Sequence, residues 1–71
     1  MKKHSVTISG HRTSISLEDE FWQGLKVVAE SRKKSLADII RQIDRERGQN
    51  NLSSAIRLTV LDHYKSQIPH T

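Results

Sequence analysis

Arg12, Ser14 and Ser16 recur at every second position of the segment Arg12-Thr13-Ser14-Ile15-Ser16-Leu17. Side chains of an extended chain alternate between two faces, so a guanidinium and two hydroxyls share one side while Thr13, Ile15 and Leu17 share the other. Such a set forms hydrogen bonds and makes or breaks no covalent bond. Arginine's paired donors match guanine O6 and N7, and serine pairs with several bases. Two uses fit this pattern, a surface that meets base edges and the solvated face of an amphipathic strand.

Charge favours the first use. The 71-residue chain has 12 Lys and Arg against 8 Asp and Glu, a net charge of +4. Lys2, Lys3 and Arg12 all precede the first carboxylate, Glu18, so the excess is polarised towards the candidate strand. Two copies would carry about +8, a field that attracts polyanions.

Other chemistries find no residues to carry them. There is no cysteine, so disulfides and thiolate metal sites are excluded. His4, His11, His63 and His70 show neither an i, i+4 pair nor the carboxylate pattern of a metal site. No Gly-rich phosphate loop and no His-carboxylate-Ser set is present, so the expectation is a protein that is not an enzyme and needs no cofactor. No apolar run approaches the roughly 20 residues that span a bilayer, and Met1-Lys2-Lys3 leads into polar residues. The expectation is a soluble cytoplasmic protein of bacterial type, associated with the nucleoid.

Residues 1–10 read as a basic N-terminal segment with room for a first short strand. Val6 and Ile8 alternate there, but the phase slips by one across Gly10-His11 before Thr13, Ile15 and Leu17 resume it. Either a bulge sits at the slip, or the halves fold back with Gly10 first in the loop, Ile8 opposite Thr13 and Val6 opposite Ile15. The favoured reading keeps residues 4–9 flexible or separately paired, with a strand over 12–17.

Three helices follow. The first spans about 18–31, with Glu18, Asp19 and Glu20 at the positive end of its dipole. Its apolar stripe is Phe21, Leu25 and Val28, widened by Trp22 and Ala29. Gly24 inside it costs about 1 kcal/mol against alanine, which points to a close helix contact. After Arg32-Lys33-Lys34, Ser35 with Asp38 three residues on starts a second helix over 35–47, striped by Leu36, Ile39, Ile40 and Ile43 and stopped by Gly48. The third, over 52–66, is capped by Asn51 or Ser53, and a tail follows at 67–71. Leu52, Ala55, Ile56, Leu58, Val60, Leu61 and Tyr64 cover more than one face of it, which predicts packing on two sides. A chain this short buries only about 60% of its unfolded surface, so the second side is expected to meet another subunit.

In order, the strand, the acidic helix start and a later Ser-x-x-x-Ile-x-Arg segment resemble the ribbon-helix-helix superfamily of Arc, MetJ and CopG-like repressors. The resemblance covers about residues 11–66. It implies a mostly α chain with a short N-terminal strand, paired with a second copy into an intermolecular antiparallel β-ribbon and an intertwined homodimer. The third helix is extra to that plan. The dimer core would then be Ile15, Leu17, Phe21, Trp22, Leu25, Val28, Ile39, Ile40, Ile43, Ile56 and Val60.

By the same resemblance Arg12, Ser14 and Ser16 contact bases of double-stranded DNA. Lys2, Lys3, His11, Arg32, Lys33, Lys34 and the helix start at Ser35 contact phosphates. Ser53-Ser54-Ala55-Ile56-Arg57 offers an alternative phosphate-holding helix start. The implied function is a sequence-specific transcriptional regulator, most simply a repressor. The alternatives are an antitoxin-type protein with a small toxin partner and a dimeric adaptor that binds protein and no DNA.

Overall fold

The structure, a computed structural model, describes residues 1–68. Strand β1 (Lys2–Ile8) turns into strand β2 (His11–Leu17), and three helices follow: α1 (Asp19–Ser31), α2 (Leu36–Glu46) and α3 (Leu52–Lys65). Of the expected tail, Pro69, His70 and Thr71 lie outside the described residues.

The two strands form one antiparallel hairpin. Ser9 and Gly10 make its two-residue loop with φ of 51° and 82°, the left-handed backbone at both positions that a type I′ turn demands. Gly10 is thus second in the loop, not first. The partners are Ile8 with His11, Val6 with Thr13, His4 with Ile15 and Lys2 with Leu17. This corrects both the flexible or separately paired reading of residues 4–9 and the register of Ile8 with Thr13. The phase slip is a consequence of the turn, because a two-residue loop sets each β1 residue opposite a β2 residue of the other parity. Within the chain, β2 pairs along one edge with β1.

The inward face of the hairpin places Ile15 and Leu17 on the helices, with Val6 and Ile8 packed at the margin. Together with Leu25, Val28, Ala29, Ile39, Ile40, Ile43, Ala55, Ile56 and Val60 they form one core. The side chains expected in the core are buried within the chain, apart from Phe21 and Trp22, which are half-buried at its edge.

Gly24 lets α1 and α3 approach: a Cβ there would stand 2.6 Å from Val60 Cγ1. The end of α1 is a Schellman turn. Lys34 N–H donates to Ala29 O at 2.9 Å and Lys33 N–H to Glu30 O at 3.0 Å, with Lys33 at φ 56°. Ser35 caps α2 by accepting from Asp38 N–H at 3.1 Å. Asn51 caps α3 by accepting from Ser54 N–H at 2.8 Å. Ser53 sits inside α3 and donates its hydroxyl to Ser16 O at 3.0 Å, which ties the helix to β2.

Candidate nucleic-acid interface

The hairpin register decides which side chains share its outer face. Opposite residues of an antiparallel pair point the same way, so Lys3 with Ser16, Ser5 with Ser14 and Thr7 with Arg12 form one face. All six are polar and none is acidic. Lys3, Ser5, Thr7, Arg12 and Ser14 are exposed and Ser16 is half-buried. The face offers an ammonium, a guanidinium and four hydroxyls across two strands.

The edges of this platform follow from the turn. A two-residue loop is closed by a hydrogen-bonded pair, here Ile8 and His11, so the main-chain groups of His11, Thr13, Ile15 and Leu17 point to β1. Those of Arg12, Ser14 and Ser16 point to the opposite edge, and Ser53 reaches Ser16 O from that side. A groove between β2 and the start of α3 runs past Ser14, Ser16, Asn51 and Ser53. A second groove, of about 500 Å³, lies between β1 and the start of α2, lined by Lys3, Ser5, Thr7, Leu36 and Ala37. At its floor the His4 ring stacks on Trp22, centroids 3.7 Å apart and planes within 6°.

The residues expected at phosphates are placed unevenly. Lys3 is on the outer face; Lys2 is exposed at the start of β1 opposite Leu17; His11 is exposed beside the turn. Ser35 begins the helix that borders β1. Lys34 turns back along α2, its Nζ donating to Gln42 Oε1 at 2.8 Å, while Lys33 stays exposed. Arg32 lines a groove with Ile43, Glu46 and Arg47 that takes no residue from the hairpin.

Glu18 has a second use besides the helix dipole. Its side chain makes no cap bond and instead accepts from Arg57 Nε at 2.9 Å and from a second Arg57 nitrogen at 3.4 Å. The Arg57 guanidinium holds the Glu18 carboxyl below the usual carboxylate range. Both remain partly exposed, so the pair orients α3 on the end of β2 more than it adds stability.

Ser5 and Thr7 share the outer face with Arg12, Ser14 and Ser16, although the sequence singled out only the β2 residues. The signal was available: Ser5 and Thr7 alternate with Val6 and Ile8 just as Ser14 and Ser16 alternate with Ile15 and Leu17.

A polar hairpin face backed by three helices defines a class of small β-ribbon domains. The chain belongs to the ribbon-helix-helix domain family, whose model matches residues 1–64. This family generally binds DNA, as transcription regulators or antitoxins. No curated protein and no solved structure matches the chain. Among the described residues no helix is long and apolar enough to cross a membrane.

Proposed function

We propose that the chain is a sequence-specific DNA-binding regulator of transcription, most simply a repressor that occupies an operator and blocks polymerase. The observation that carries this reading is the outer hairpin face, six polar side chains with two cations and no carboxylate. A ribbon of two strands fits a major groove about 12 Å wide. Arg12, Ser14 and Ser16 contact base edges, with Arg12 the most discriminating. Lys2, His11, Lys33 and the start of α2 at Ser35 hold phosphates.

The protein acts as a homodimer on paired half-sites. Leu58, Leu61 and Tyr64 expose 55%, 50% and 42% of their surface on α3, and a second copy covers them.

Selection of bound sequences from random duplex DNA, with the salt dependence measured on the winner, tests the reading. Six to ten phosphate contacts make affinity fall about 10³- to 10⁵-fold between 50 and 200 mM salt. Binding that is flat in salt, or no binding at low salt, rejects it. A small protein that copurifies and masks Leu58 and Leu61 would assign that face to a toxin-like partner in place of a second copy.

A further inference from the structure

The groove between β1 and the start of α2 has two unlike walls. One is apolar, made by Leu36, Ala37 and Ile40 of α2, with Ala37 exposed, Leu36 half-buried and Ile40 buried behind them. The other is the edge of β1, where Lys3, Ser5 and Thr7 line the groove. Because Ile8 and His11 form a hydrogen-bonded pair, the main-chain groups of Lys3, Ser5 and Thr7 point away from β2. Their N–H groups therefore lie along the groove together with an ammonium and two hydroxyls. The stacked rings of His4 and Trp22 make the floor.

These walls select an occupant. A concave site of about 500 Å³ has the size of a small-molecule pocket, in which apolar surface holds the ligand and a few polar groups orient it. No acidic residue lines the groove among the described residues, and Asp38, next to Ala37 on α2, pairs with Arg41. Lys3 and the positive end of the eleven-residue α2 therefore set the sign of the field there. On the floor, His4 Nε2 is buried with no hydrogen-bond partner among the described residues, one polar bond short of what a buried ring nitrogen normally makes. The groove takes no residue from β2 or α3, so neither a partner on the exposed face of α3 nor one on the open edge of β2 needs to cover it.

We propose that this groove binds a small amphipathic carboxylate. Its apolar body lies against Leu36, Ala37, Ile40 and Trp22, and its carboxylate meets the Lys3 ammonium and the free N–H groups of the β1 edge. An ammonium on the same apolar body would meet Lys3 as a like charge and be rejected. The site is independent of the DNA-binding reading, since nothing in it requires DNA.

Trp22 is the only tryptophan of the chain, so its emission reports on the groove. Octanoate is the probe and octylammonium the control of opposite charge. Octanoate is expected to shift Trp22 emission saturably, with half-saturation between about 0.1 and 1 mM, and to move the amide resonances of Ser5, Thr7 and Ala37. Octylammonium should bind about ten-fold more weakly, and Lys3→Glu should reverse that order. Ala37→Phe, which fills the groove from α2, should abolish the shift in a protein that thermal melts show to be folded; should it not fold, the amide resonances of wild type decide. Equal binding of the two probes, an order that Lys3→Glu leaves unchanged, amide changes confined to α3, or no saturation by about 10 mM octanoate overturns the proposal.

Discussion

Arg57 and Glu18 join the start of the last helix to the end of β2, with Nε to Oε1 at 2.9 Å across thirty-nine residues of chain. The pair fixes the orientation of α3 against the strand that carries Arg12, Ser14 and Ser16. Because the bond to Arg57 holds the Glu18 carboxyl low, the unfolded chain binds a proton there more readily than the folded one. The stabilisation is complete above the unfolded carboxyl's range and is lost as pH falls through the folded value. Thermal melts below about pH 5 should therefore show wild type losing stability more steeply than Glu18→Gln. Parallel acid profiles for the two would show that the pair contributes nothing.

Gly24→Ala should destabilise the protein. Helix propensity favours alanine by about 1 kcal/mol, but the new methyl meets Val60 Cγ1, whose β-branched side chain cannot swing aside. Overpacking of this kind costs about 1 to 3 kcal/mol, so a net loss of about 1 kcal/mol is expected in denaturant titration. In a Val60→Ala background the same substitution should become neutral or stabilising, and a double-mutant cycle measures the coupling.

Lys33→Gly should stabilise the chain by about 1 kcal/mol. Lys33 is in the left-handed region that ends α1, where a side chain costs roughly 1 to 2 kcal/mol and glycine does not. The expected rise in melting temperature comes with weaker non-specific DNA binding, because an exposed cation is lost. A fall in stability would mean that the Lys33 side chain makes a contact worth more than the backbone relief.

The hairpin turn gives a paired prediction. Gly10→Ala places a Cβ at φ 82° and should cost about 1 to 2 kcal/mol, whereas Ser9→Asn supplies the preferred Asn-Gly turn and should gain a few tenths. Amide exchange of Val6 and Thr13 reads the effect on the ribbon directly.

Helix boundaries and the outer face of β2 were legible in the sequence because both rest on local periodicity. Ser35, Gly48 and the stripe Ile39, Ile40 and Ile43 mark α2 without reference to anything distant. The pairing of β1 was not legible in the same way. The parity slip at Gly10-His11 is compatible with a bulge or a turn, and only long-range packing of Ile15 and Leu17 against the helices selects the turn. Ser53 was hard to read for a related reason. It looks like a helix cap, yet Asn51 takes that role and frees the Ser53 hydroxyl for Ser16 O. The use of Glu18 by Arg57 also depends on the tertiary fold, since the local sequence already explains a carboxylate at a helix start.

The Ser9–Gly10 turn has a kinetic meaning. Joining the two strands through two residues makes ribbon formation a unimolecular step with a very small closure entropy, on the microsecond scale typical of hairpins. An assembly of separate strands melts on dilution, because its population follows mass action. Here the pairing of β1 with β2 forms within each chain, so the polar outer face of the hairpin is assembled without a concentration-dependent step of its own.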